Sequence, residues 1–91
     1  MSLLDEETLA GELAATPGWE RDGDEIVRTV ELADFRAAMA FVNRVAELAE
    51  EADHHPDITL RWNKVTLTLS THSAGGLTRK DFELARRVNA L

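Results

Sequence analysis

Three histidines, His54, His55 and His72, are the chain's whole complement of imidazoles and lie within one short stretch. An imidazole titrates near pH 6.5, so it can both donate and accept a proton close to neutrality. A cluster of them suits general acid–base work, in which one ring protonates a leaving oxygen while another removes a proton. Glu50 stands four residues before His54, one helical turn away, where its carboxylate could hold that ring. Asp57 follows two residues after His55. A second chemistry competes: Glu50, His54 and His72 offer the oxygen and nitrogen ligands of a zinc triad.

The elements around these residues decide whether they meet. Asp34 is a candidate helix N-cap, and Phe35, Ala38, Met39, Val42, Val45, Ala46, Ala49 and Ala52 follow at spacings of three and four, the signature of one buried stripe. Pro56 closes this long helix, because its ring and missing N–H disfavour continuation. His54 and His55 fall at the break, and Pro56 would fix the backbone that presents them.

Ile58, Leu60 and Trp62 then alternate with polar residues, as do Val65, Leu67 and Leu69, so two strands are expected. A turn at Asn63-Lys64 would pair Trp62 with Val65, Leu60 with Leu67 and Ile58 with Leu69, all apolar. That register puts Trp62 in the core. It also sets His55 opposite His72, on a polar face with Asp57, Thr59, Thr68 and Ser70.

Upstream, Asp5 to Ala15 reads as a short amphipathic helix stopped by Thr16-Pro17-Gly18. Asp22-Gly23 is a dipeptide favoured by type I′ turns, and a hairpin is expected around it. Downstream, Thr78-Arg79-Lys80-Asp81 has the form of a capping box opening a last helix, which accounts for Asp81 without any catalytic role. The order is α-β-β-α-β-β-α: an α+β fold, with the two hairpins in one four-stranded antiparallel sheet and helices packed on one face. Residues 1–91 are expected to form a single domain.

Composition excludes several classes of function. The chain has 91 residues, no cysteine and a net charge of −7. A thiolate nucleophile, a thiolate metal site and a disulfide are therefore excluded. The acidic balance disfavours nucleic acid and anionic membranes. No apolar run approaches the roughly 20 residues of a membrane span, and no leader-like segment opens the sequence. A cytoplasmic protein is expected, and one this small without covalent staples is expected to form a homo-oligomer.

From Glu50 the chain reads acid, three positions, His54-His55-Pro56, five positions, Trp62, nine positions, His72, eight positions, Asp81. This spacing resembles the signature of the pterin-4a-carbinolamine dehydratases. Asn63-Lys64-Val65, Leu69-Ser70-Thr71-His72 and Gly18-Trp19 are also similar to segments of that family. The resemblance implies loss of water from a 4a-hydroxytetrahydropterin, giving a quinonoid dihydropterin, in the recycling of tetrahydrobiopterin. It implies His54, His55 and His72 as the catalytic set, with no metal or organic cofactor. His54 and His72 would exchange protons, and His55 would bind and polarise the pterin. Glu50, Pro56, Asp57, Ser70, Thr71, Asp81 and Trp19 are the supporting candidates. Trp19 is flat enough to stack on a pterin, with core burial as its alternative. The family also contains dimerisation cofactors of transcription factors, so a protein-binding module without catalysis is the alternative function.

Overall fold

The computed structural model describes residues 2–91. Helix α1 (Glu6–Ala14) is followed by strands β1 (Glu20–Asp22) and β2 (Glu25–Glu31) and the long helix α2 (Phe35–Ala52). Strands β3 (Asp57–Arg61) and β4 (Lys64–Leu69), a 3-10 turn at His72–Ala74 and helix α3 (Arg79–Asn89) complete the chain. The strands form one antiparallel sheet in the order β1-β2-β4-β3. This is the expected α+β order, with β4 rather than β3 joining the two hairpins.

Each helix begins where its capping residue stands. The Asp5 carboxylate accepts from the Thr8 N–H and the Asp34 carboxylate from the Ala37 N–H, both at 2.8 Å, which satisfies amides that have no intrahelical partner. Thr78 and Asp81 close a reciprocal capping box on α3. The core lies between the sheet's inner face and the helices. Ile26, Val65, Leu67 and Leu69 from the strands meet Val45 of α2 and Phe82, Leu84 and Val88 of α3.

The inner face of α2 is rotated from the stripe read in sequence. Ala38, Phe41, Val45 and Ala49 are buried, while Phe35 and Met39 are exposed, as is Ala46. The apolar positions thus divide between two faces, of which one covers the sheet. Spacings of three and four cannot separate two adjoining faces when both carry apolar residues.

Both hairpin turns sit one residue away from their expected positions. Asp22 pairs with Glu25, so the first turn is Gly23-Asp24. Gly23 takes φ 61°, and glycine at the first turn position is the type II′ preference. Arg61 pairs with Lys64, so the second turn is Trp62-Asn63. Ile58 therefore faces Leu67 and Leu60 faces Val65, a shift of two residues that keeps the side chains of β3 on their expected faces. Asn63 decides the register: its side-chain N–H donates to the Leu32 carbonyl at 3.0 Å, and its own carbonyl accepts from the Leu32 N–H at 2.8 Å. These bonds hold Asn63 in the turn and set Lys64 between Glu31 and Arg61. Trp62 consequently leaves the core and is 68% exposed. His72 lies beyond β4, in the 3-10 turn, and is not a strand partner of His55.

Candidate active site

His54 is delivered by the way α2 ends. Asp53 adopts the left-handed conformation (φ 50°, ψ 45°), the Asp53 N–H donates to the Glu50 carbonyl and the His54 N–H to the Ala49 carbonyl. That pair of bonds is the Schellman pattern, which turns the chain sharply off the helix axis. Pro56, two residues on, leads into β3 in the extended backbone that it favours.

His54 is buried, and its Nε2 lies 2.6 Å from Oδ1 of the fully buried Asp81. A carboxylate accepts only, so His54 Nε2 carries the hydrogen of this bond. The other carboxylate oxygen, Oδ2, accepts from the Thr71 hydroxyl and the Thr78 N–H, each at 2.9 Å. Because Thr71 uses its hydrogen on Asp81, the Thr78 hydroxyl donates to Thr71 Oγ1 across 2.8 Å. The buried carboxylate is thus surrounded by donors, the condition for keeping a charge out of water.

His55 Nε2 bonds the Glu50 carboxylate on the exposed side of the break. The helical spacing pointed Glu50 at His54, but the Schellman turn redirects the chain before His54, so the carboxylate meets the next ring. His72 is exposed, and its ring has no hydrogen-bond partner among the described residues.

The three imidazoles nevertheless converge. His54, His55 and His72 line one surface cavity of about 290 Å³, together with Asp53, Ser70, Thr71, Ser73 and Lys80. His72 and Ser70 also border a neighbouring opening of about 400 Å³ walled by Asp22, Asp24 and Glu25. Ser70 and Thr71 therefore line the histidine cavity. Asp81 joins it through His54. Pro56, Asp57 and Glu50 do not line the histidine cavity. Trp19 is also absent from its wall; it is buried in the core, and its Nε1–H donates to Asn89 Oδ1 at 3.0 Å. The triad of Glu50, His54 and His72 does not form: the first two bond different partners, and among the described residues no three His, Asp or Glu side chains are placed to hold one metal ion.

A family model described as pterin 4 alpha carbinolamine dehydratase matches residues 2–91. The chain belongs to the pterin-4-alpha-carbinolamine dehydratase family. A relative from Thermomicrobium roseum, provisionally named as such a dehydratase, is 60% identical over 91 residues, spanning 100% of this chain and 98% of that protein. One from Nocardia farcinica with the same provisional name is 58% identical, spanning 98% and 94%. A crystal structure from Brucella melitensis, titled transcriptional coactivator/pterin dehydratase, superposes with TM-score 0.92 at 37% identity, over 97% of this chain and 96% of that one. A pterin dehydratase-like protein described as a RuBisCO assembly factor in the alpha-carboxysome shares the fold at TM-score 0.66 and 23% identity, over 79% and 83% of the two chains.

The cavity-wall residues that the sequence did not single out are Asp53, Ser73 and Lys80. Asp53 and Ser73 are chain neighbours of the histidines, a signal available in sequence. Lys80 precedes Asp81 in the first turn of α3, where a cation opposes the helix dipole, and that oddity was also legible.

Proposed function

We propose that this protein dehydrates a 4a-hydroxytetrahydropterin to the quinonoid dihydropterin. The observation that carries the reading is the convergence of three imidazoles on one cavity, one of them oriented by a buried carboxylate. The C4a–O bond breaks as the oxygen takes a proton and leaves as water. The N5 electron pair forms N5=C4a, and the N5 proton passes to a base. The step is redox-neutral, so one acid and one base are sufficient.

His54 and His72 are the proton-exchanging pair. His54 keeps Nδ1 for transfer while Asp81 fixes its ring, as a carboxylate orients a histidine in a hydrolase triad. Among the described residues the His72 ring has no hydrogen-bond partner, which leaves it open to the substrate. His55, paired with Glu50 at the rim, binds and polarises the pterin. The physiological setting is tetrahydrobiopterin recycling by a homo-oligomer in the cytoplasm.

The test is a stopped-flow assay of 4a-hydroxytetrahydropterin decay with micromolar protein, with and without chelator. Acceleration over the spontaneous reaction that chelator leaves unchanged is expected. A rate equal to the spontaneous one overturns the reading, and loss of activity to chelator would replace it with metal catalysis.

A second reading is favoured by the outer face of α2, where Phe35 and Met39 are exposed one turn apart. Such a face suits protein contact, and the Brucella protein's name pairs coactivation with dehydration. An inactive protein that captures a partner through this face would support it.

A further inference from the structure

Lys80 reaches the histidine cavity from a place where helix chemistry disfavours it. It is the second residue of α3, in the turn that carries the positive end of the helix dipole, so its charge costs stability there. No carboxylate among the described residues pairs with its ammonium, whereas Arg86 and Arg87 on the same helix pair with Glu12 and Glu51. Nor does Lys80 extend freely into solvent, since it is half-buried. It walls two openings, the histidine cavity and a smaller one of about 180 Å³ that also includes Ala52, Glu83 and Leu84. His54 and Lys80 are the two residues common to both. A local rule broken without a stabilising gain is a mark of function.

An ammonium has three donors and no acceptor, so its counterpart on a ligand must be an acceptor. On a 4a-hydroxytetrahydropterin, the 4-oxo group, the 4a-hydroxyl and N5 sit on adjoining atoms. Histidines acting at the last two bring the first within the same small cavity. The 4-oxo oxygen only accepts, and the 4a-oxygen gains negative charge as its bond to carbon breaks.

We propose that Lys80 holds the substrate's 4-oxo group beside the departing 4a-oxygen, and so selects 4-oxo pterins and directs the C4a–O bond toward the histidines. This rests on the dehydration reading above. Lys80 stays protonated throughout: one imidazole supplies the proton that leaves with water, and another takes the proton from N5. The lysine donates to the 4-oxo oxygen, which orients the ring, and to the 4a-oxygen, whose negative charge grows as its bond to carbon breaks, the kind of contact that acts on rate as well as affinity.

A binding cycle tests it without relying on turnover. Isothermal titration would compare 6-methylpterin with 2-amino-6-methylpteridine, which lacks the 4-oxo group, on the parent protein, Lys80→Met and Lys80→Arg. Loss of the 4-oxo group is expected to weaken parent binding about tenfold or more, the scale of a charge-assisted hydrogen bond. Lys80→Met should bind the two ligands alike, and Lys80→Arg should restore the difference. In turnover, Lys80→Met should lower kcat/KM about 10²-fold at unchanged circular dichroism. If Lys80→Met keeps the parent's full preference for the 4-oxo ligand, the proposal falls while pterin binding stands. If the parent binds neither ligand, the dehydration reading falls and takes this one with it. Should Lys80→Met fail to fold, Lys80→Ala, which likewise has no donor, completes the same cycle with the same two outcomes.

Discussion

Asp81 bonds His54 Nε2 through one carboxylate oxygen and closes the capping box of α3 through the other. One side chain therefore serves both the helix start and the candidate acid–base pair. The capping explanation and the functional one, which compete in the sequence, are the two ends of a single carboxylate. Because Asp81 is pinned by Thr71 and Thr78, the imidazole it holds is pinned as well.

Asp81→Ala is expected to destabilise the fold by about 2 kcal/mol, from the lost cap and the unpaired buried donors. Asp81→Asn keeps the shape and an acceptor but cannot receive all of the donors that surround the carboxylate. Its melting temperature should fall less, while its kcat falls at least about tenfold through a misoriented His54. Thermal melts and steady-state kinetics on both variants check this. Equal losses of stability and activity across the pair would leave Asp81 a purely structural cap.

His72→Ala should lower turnover about 10²-fold, the scale of losing a general acid or base. Its melting curve should match the parent's, because the ring is exposed and makes no hydrogen bond among the described residues. His55→Ala, at the rim with Glu50, is expected to act mainly on KM. A His72→Ala variant of full activity would remove His72 from the proton-exchanging pair.

Oligomerisation is expected in solution at micromolar concentration, checked by sedimentation equilibrium against the 10.1 kDa chain mass. Strand β3 ends the sheet with Ile58 exposed at its edge, and an unpaired edge invites pairing. The outer face of α2, with Phe35 and Met39, is a second apolar surface. Ile58→Lys should dissociate an edge-paired dimer, and Met39→Lys one joined through the helices. A single species at the chain mass would refute both.

Acid should weaken the N-terminal anchor. The Thr8 N–H bond holds the Asp5 carboxyl below its ordinary range. The Arg21 guanidinium, hydrogen-bonded to Glu6 and attracting it, does the same there. Both folded values are depressed, so these contributions are present above the ordinary carboxylate range of about 4 and fade as pH falls through the lower folded values. Glu6→Gln should therefore narrow the gap between melting temperatures at pH 6 and pH 3. An unchanged gap would show that the exposed pair is screened into insignificance.

Much of the architecture was legible because local rules and global fold agree. Period-two runs marked β3 and β4, Asp34 and Thr78 marked two helix starts, and three histidines in a short stretch marked the site. The departures share a physical cause. Trp62 reads as core because alternation reports the face of a strand and not where the strand ends; the Asn63–Leu32 bonds, made across 31 residues, decide that. Glu50 reads as the partner of His54 because helical spacing assumes that the helix continues, and the left-handed Asp53 ends it first.

The sequence by itself determined which residues could do acid–base chemistry, the order of elements that carry them and the family signature they form. Those properties depend on residue type and short spacing, which are local. Only the tertiary structure decided that Asp81 holds His54, that Trp19 goes to the core and that Lys80 stands in the cavity wall. Each depends on where two distant segments meet, and that is set by the packing of α2 and α3 against the sheet, a balance over the whole core that no single stretch of chain contains.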